Sequence, residues 1–88
     1  MNNFYGILKI IQISDIEIDY YDKCKFRYYI TCEDCDIKLK IKCNEKFIET
    51  LYSKLEVDKY IFVYGNIGFS YGQLYIFPKE IMPLELVL

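Results

Sequence analysis

The stretch that decides the fold is residues 24–43, which read CKFRYYITCEDCDIKLKIKC. Apolar and polar side chains alternate on both sides of Glu33-Asp34, with the period of a β-strand that buries one face. Glu33-Asp34 is therefore predicted to form the turn of a β-hairpin, and a four-residue turn over 32–35 would keep the same pairing. In this predicted register Ile30 lies opposite Ile37.

The two faces of the predicted hairpin differ in chemistry. One face is apolar and pairs Phe26 with Ile41, Tyr28 with Leu39, and Ile30 with Ile37. The other face pairs Lys25 with Lys42, Arg27 with Lys40, Tyr29 with Lys38, and Thr31 with Asp36. Like charges directly opposite each other destabilise a sheet, so an anion above the basic pairs would make them more tolerable. A solvated face without a ligand is the alternative.

The segments around the hairpin complete the predicted fold. Residues 4–13 are rich in β-forming side chains and predict a strand, with a bulge or bend at Gly6, and the acidic residues 14–23 either extend it or form a loop. Residues 44–55 have helical spacing, with Asn44 as the N-cap. The apolar side of that helix carries Phe47, Ile48, Leu51 and Leu55.

Two further strands follow the helix, at 59–69 and 73–77, and Pro78 is expected to end the second. Three strands, a helix and two strands is the chain order of the OB-fold. We therefore predict that residues 1–88 form a single all-β domain, a five-stranded OB-fold Greek-key barrel with one α-helix between strands 3 and 4. Local propensity alone also allows an open α+β sheet.

Composition narrows the function. Of 88 residues, 53% are hydrophobic, which excludes a disordered tail. The net charge of −2, from 11 basic and 13 acidic residues, means that a nucleic-acid hypothesis must depend on where the charges lie. Histidine is absent and no catalytic motif is recognisable, so no enzyme activity, small-molecule substrate or cofactor is expected. With no leader and no apolar run of membrane length, a cytoplasmic location without membrane association is the default expectation.

The four cysteines invite comparison with a zinc site, because Cys32 and Cys35 form a CxxC motif. In the predicted register Cys32 lies opposite Cys35 and Cys24 opposite Cys43, at opposite ends of the hairpin. The two pairs would then be about 26 Å apart, too far to share one tetrahedral ion. We therefore predict no metal, and small buried thiols instead.

Aromatic side chains outside the predicted core suggest contact surfaces. Phe69 and Tyr71 lie at the turn between the last two strands, where they could stack on bases. The outward positions of those strands are also aromatic. Among them Phe62 and Phe77 are predicted to lie in an oligomer interface, whereas Tyr64 and Tyr75 are left open.

The sequence resembles the bacterial and phage single-stranded-DNA-binding protein family over roughly residues 3 to 84. The resemblance rests on FYGIL at 4–8, FIETL at 47–51, YIFVYGNI at 60–67 and LYIF at 74–77 followed by Glu80-Ile81. The chain lacks the family's long Gly/Pro-rich extension and its acidic tail. That difference favours a reduced plasmid, phage or primosomal type.

The resemblance implies an OB-fold that binds single-stranded DNA with little sequence preference, as a homo-dimer or homo-tetramer, in DNA replication. OB-folds bind such strands mainly on the outer face of the strand 2–3 hairpin and in adjacent loops. The predicted nucleic-acid-binding residues are Lys25, Arg27, Tyr29, Lys38, Lys40, Lys42, Phe69 and Tyr71. The sequence does not distinguish DNA from RNA. The alternative is a protein-interaction OB-fold subunit or adaptor that binds no nucleic acid.

Overall fold

Six strands and one short helix make up the computed structural model, which describes residues 2–19 and 25–85. The strands are β1 (Asn2–Ile13), β2 (Glu17–Ile18), β3 (Phe26–Asp34), β4 (Ile37–Cys43), β5 (Tyr60–Ser70) and β6 (Gln73–Leu84). Helix α1 (Lys46–Leu51) continues into a 3₁₀ turn (Tyr52–Lys54) and lies between β4 and β5. Within the described ranges no helix is long and apolar enough to cross a membrane.

The five long strands close into a barrel. Their order around it is β1, β5, β6, β4, β3, and β3 pairs again with β1. All of these pairings are antiparallel except the parallel one between β4 and β6. The predicted all-β, five-stranded barrel of OB type, with its helix between the third and fourth long strands, is thus confirmed. The acidic segment after β1 adds the two-residue β2, which pairs with the start of β3.

Alternating side chains from every long strand fill the barrel, as the period-2 pattern requires. The helix covers one end of this core with Phe47 and Leu51, and Leu55 follows just after the 3₁₀ turn. The predicted apolar side of the helix is therefore confirmed, with Ile48 partly buried against the same cluster. The fully buried side chains from the strands are Leu8, Ile10, Tyr28, Ile30, Cys32, Ile41, Cys43, Ile61, Val63 and Ile76.

The hairpin and the helix are joined by polar contacts. The buried hydroxyl of Tyr28 donates a hydrogen bond of 2.7 Å to the carbonyl of Phe47. The helix begins later than predicted, so the N-cap position belongs to Glu45. Asn44 still satisfies an amide at this end, because its Oδ1 accepts from the Lys46 N–H at 3.1 Å. Glu45 in turn accepts from the Phe26 N–H at 3.1 Å.

The predicted register of the hairpin is wrong. Of the residues assigned to its apolar face, Tyr28, Ile30, Leu39 and Ile41 are buried, but Phe26 and Ile37 are 47% and 54% exposed. Ile30 lies opposite Ile41 rather than Ile37, and Cys32 lies opposite Leu39. The turn is formed by Cys35 and Asp36, whose φ angles of 48° and 69° are both left-handed, as in a type I′ turn. That turn matches the right-handed twist of the strands, and it leaves Glu33 and Asp34 in the ladder, opposite Lys38 and Ile37. The expected opposition of Cys32 and Cys35 is therefore also wrong, and Cys24 lies outside the described residues.

The last strand is longer than predicted, because Pro78 does not end it. Tyr64 pairs with Glu80 and Gly65 pairs with Pro78, so Lys79 is an extra residue in a β-bulge. A bulge accommodates a proline that cannot donate to the ladder. The bulge or bend expected at Gly6 is not observed, because β1 pairs regularly with β5 there. β1 instead shifts register between Ile10 and Gln12.

Candidate nucleic-acid interface

The outward side chains of β3 and β4 form the surface that the sequence predicts. We call it the basic hairpin face and define it by Arg27, Tyr29, Thr31, Lys38, Lys40 and Lys42. The observed register places Tyr29 opposite Lys42, Thr31 opposite Lys40, and Glu33 opposite Lys38. The predicted like-charge pairs, Lys25 with Lys42 and Arg27 with Lys40, therefore do not exist. Repulsion between like charges on opposite strands therefore gives no argument for a bound anion.

Two of the cations on this face already have acidic partners. The Arg27 side chain is only 13% exposed, and its Nε lies 3.3 Å from Oε1 of Glu17. Its Nη1 is 3.6 Å from Oδ1 of Asp19, and the Lys42 Nζ is 3.9 Å from Oδ2 of the same carboxylate. β2 brings Glu17 here by pairing it with Arg27. Glu17 and Asp19, which we call the acidic arm, partly neutralise this end of the basic hairpin face.

Lys38 and Lys40 lie farther along β4, away from the acidic arm. Neither makes a side-chain ion pair in the part of the chain that the structure describes. Lys40 has uncharged Thr31 opposite it on β3 and Tyr75 beside it on β6. These two ammonium groups are therefore the cations best placed to meet a phosphate. Lys25 is exposed, just before β3.

Two aromatic rings approach each other across the strand that carries the lysines. Tyr29 on β3 and Tyr75 on β6 project over the intervening β4, and their ring centroids are 6.2 Å apart. The Arg27 guanidinium carbon also lies over the Tyr29 ring, 5.5 Å from its centroid. Tyr29 and Tyr75, which we call the tyrosine pair, thus offer flat surfaces of the kind on which bases stack. The sequence did not assign Tyr75 to this site, because Tyr75 reaches it only through the parallel pairing of β6 with β4, in which Tyr75 lies beside Lys40.

The aromatic surface continues toward the tip of the β5–β6 hairpin. Phe77 is 46% exposed and lies over Gly68, where a Cβ atom would meet its ring at 3.4 Å. Phe69 and Tyr71 are exposed at the hairpin tip, where the sequence placed them. Gln73 holds this hairpin against β4, since its Nε2 donates to the Lys38 carbonyl at 3.3 Å. Phe77, predicted to lie in an oligomer interface, thus adjoins the tyrosine pair.

Tyr29 is a titratable group on this face whose pKa is shifted. Burial raises the pKa of Tyr29, and the neighbouring Arg27 offsets only part of that effect. Its hydroxyl therefore stays neutral near pH 7 and can donate a hydrogen bond to a phosphate or a base.

Of the three cysteines that the structure describes, Cys32 and Cys43 are buried as predicted, whereas Cys35 is exposed in the hairpin turn. Burial raises the pKa of the Cys32 and Cys43 thiols to about 12, so both are inert core groups at neutral pH. The exposed thiol of Cys35 has its pKa raised by a hydrogen bond to Asp34 and by that residue's charge. Residues 2–19 and 25–85 contain no group of three or more Cys, Asp or Glu side chains that could hold a metal ion.

The fold and the site define an OB-type barrel with a mixed basic and aromatic hairpin face. No model of a known protein family matches the chain, and no curated protein matches it. The function must therefore be inferred from the geometry of the barrel.

Proposed function

We propose that this protein binds single-stranded nucleic acid, without strong sequence preference, across the basic hairpin face. The observation that carries the proposal is the tyrosine pair, 6.2 Å apart, next to two lysines, Lys38 and Lys40, that make no ion pair among the described residues. Flat rings bind any base through its π-face, and ammonium groups bind any phosphate. The combination selects an unpaired strand, because a duplex keeps its bases stacked on one another.

Each group has a separate part in the proposed complex. Tyr29 and Tyr75 stack on successive bases, and Phe77 extends this platform over Gly68. Lys38 and Lys40 contact the phosphates that join those bases. Phe69 and Tyr71, at the exposed hairpin tip, contact the strand where it leaves the basic hairpin face. The face offers about two to four phosphate contacts, depending on whether Arg27 and Lys42 are released from the acidic arm.

The salt dependence of binding tests this proposal. We expect labelled oligo-dT to bind with a slope of log K against log salt between about −1.4 and −2.8, since each phosphate contact on a single strand contributes about −0.7. Affinity should then fall about 7- to 50-fold between 50 and 200 mM salt. Fluorescence anisotropy measures both quantities, and oligo-U in parallel shows whether RNA binds equally well. No binding at low salt, or binding that salt leaves unchanged, would contradict the proposal.

A charge-reversal variant locates the binding surface. Lys38→Glu/Lys40→Glu should weaken binding at least tenfold, because each reversal replaces an attraction of about 1 kcal/mol with a repulsion. Lys54→Glu/Lys59→Glu is the matched control. It changes the net charge by the same amount, at exposed positions near the 3₁₀ turn and the start of β5. Equal losses in both variants would mean that only overall charge matters.

The acidic arm provides a separate prediction. Glu17→Gln/Asp19→Asn should release Arg27 and Lys42 and strengthen oligo-dT binding about fivefold or more, since each pair at a partly exposed site is worth up to about 1 kcal/mol. The salt slope should also become steeper, by about 0.7 for each cation released. Glu49→Gln/Glu56→Gln, remote from this face, is the control. Weaker binding by the arm variant would show that Glu17 and Asp19 support the site rather than compete with phosphate.

A protein-interaction module without a nucleic-acid role is the second candidate. It is favoured by exposed apolar side chains on the outer side of β1, β5 and β6, among them Tyr5, Ile7 and Met82. Phe62, predicted to be an interface residue, is paired between Ile7 and Met82 on these strands. On this alternative, oligo-dT and oligo-U would both fail to bind even at low salt. The salt series therefore separates the two candidates directly.

A further inference from the structure

The parallel pairing of β4 with β6 is the shortest of the pairings that close the described barrel. It has two paired positions, Lys40 with Tyr75 and Ile41 with Ile76, whereas the next shortest, β1 with β3, has four. Parallel pairing is also slightly less stable per residue than antiparallel pairing. We call this pairing the β4–β6 seam. Tyr75 stands at one of its two positions, so the seam determines where that ring lies relative to Tyr29.

Gln73 makes a side-chain contact at the point where the backbone pairing of the seam stops. Continuing the register by two residues brings Gln73 beside Lys38. There the Gln73 Nε2 donates to the Lys38 carbonyl at 3.3 Å, and it also donates to the Leu74 carbonyl at 3.0 Å. Both amide hydrogens are therefore used, and the side chain is held in one orientation. The contact extends the seam by one two-residue repeat, about 6.6 Å.

The position of Gln73 in β6 couples it to Tyr75. Residues two apart in a strand lie on the same face, so the two side chains are direct neighbours on the outside of the barrel. On the other side of β6, Gln73 pairs with Ser70 at the end of the β5–β6 hairpin, and Tyr75 pairs with Gly68. Gly68 has no side chain to support the Tyr75 ring from β5. The contact of Gln73 with β4 therefore anchors the hairpin end that leads into Tyr75.

We infer that Gln73 is a positioning residue of the candidate nucleic-acid interface. It holds the β5–β6 hairpin against β4 and thereby keeps the Tyr75 ring at its distance of 6.2 Å from the Tyr29 ring. The inference rests on the proposed function. Gln73 acts through Tyr75, because its amide hydrogens are directed at protein carbonyls rather than at a ligand. A ring that is already held in place loses less conformational freedom when a base stacks on it, which strengthens binding.

A double-mutant cycle between Gln73 and Tyr75 tests the inference. Gln73→Met keeps the length of the side chain and removes both donors, so oligo-dT binding should weaken about three- to tenfold. The salt slope should not change, since no cation is altered. In a Tyr75→Ala background the same substitution should weaken binding less than about twofold, because no ring remains to be positioned. Gln12→Met, the same chemical change at an exposed position of β1, is the matched control.

Amide hydrogen exchange of the free protein gives a second measurement that needs no ligand. In Gln73→Met, residues 73–76 should exchange about three- to tenfold faster than in the natural protein, because the end of the hairpin is released from β4. Residues 28–32 in β3 should keep their exchange rates. Unchanged exchange at 73–76 would overturn the inference. Equal acceleration throughout the barrel would also overturn it, since Gln73 would then stabilise the whole fold rather than position one strand.

The outcomes separate this inference from the proposed function. If the natural protein binds oligo-dT and Gln73→Met binds equally well, the positioning role is wrong while nucleic-acid binding stands. The same conclusion follows if Gln73→Met weakens binding equally with and without the Tyr75 ring. Failure of the natural protein to bind oligo-dT is a different result, because it contradicts the proposed function itself. The exchange rates then decide separately whether Gln73 fixes the strand that carries Tyr75.

Discussion

Loss of the tyrosine pair is expected to weaken oligo-dT binding by about 30-fold or more. Stacking of one base on an aromatic side chain is worth about 1–3 kcal/mol, so Tyr29→Ala/Tyr75→Ala should remove about 2–6 kcal/mol of binding free energy. The rings are 6.2 Å apart and stand on strands separated by β4, so each can hold a different base. Anisotropy titrations at a fixed low salt concentration measure this loss.

The matched control keeps the rings and removes only the hydroxyls. Tyr29→Phe/Tyr75→Phe should bind within about fivefold of the natural protein, because stacking depends on the ring, whereas each lost hydrogen bond is worth about 0.5 kcal/mol at a wet surface, the low end of the usual range. The salt slope should be the same in both variants, since no cation is changed. Equal losses in the phenylalanine and alanine variants would mean that the hydroxyls, rather than stacked rings, carry the affinity. Circular dichroism establishes that both variants retain the barrel.

The faces of the hairpin could be predicted from the sequence, but its register could not. Period-2 alternation distinguishes inward from outward side chains, and Tyr28, Ile30, Leu39 and Ile41 are buried as expected. Phe26 and Ile37, the first residues of their strands, are exposed instead. Moving the partner of Ile30 from Ile37 to Ile41 is a shift by an even number of residues, so every side chain keeps its face. Turn geometry then decides between the registers. The left-handed conformations of Cys35 and Asp36 are not apparent from residue type alone, because glycine and asparagine are the usual signals.

The parts of the site that the sequence did not predict depend on pairing between segments that are distant in the chain. Lys38, Lys40 and Tyr29 are neighbours within one hairpin, so local alternation was enough to group them. Tyr75 joins them only because β6 runs parallel to β4, a pairing between segments more than 30 residues apart that no local pattern specifies. The acidic arm depends likewise on Glu17 of β2 meeting Arg27. Pairing between distant segments therefore altered the predicted site more than it altered the predicted fold.

Gly65 is the position where the smallest change should have the largest effect on stability. A Cβ atom there would lie 2.3 Å from the Phe77 carbonyl oxygen and 2.8 Å from the Pro78 Cα, both backbone atoms of the adjacent strand. Backbone in a closed barrel cannot move aside as a flexible side chain can. We expect Gly65→Ala to lower the free energy of unfolding by about 3 kcal/mol, the upper range for overpacking a core. For a domain of this size the melting temperature should fall by about 12–24 °C.

Gly68→Ala, three residues later in β5, is the matched control because the chemical change is identical. Its Cβ would meet only the Phe77 ring, at an ordinary contact distance of 3.4 Å. Alanine is also favoured over glycine in a strand, so the variant should unfold within about 1 kcal/mol of the natural protein. Urea denaturation compares the two. Similar midpoints for both variants would show that β5 and β6 can separate at Gly65. The bulge at Lys79 would then be a flexible point in β6, and it would not fix the strand segment that carries Tyr75 relative to the segment that carries Met82.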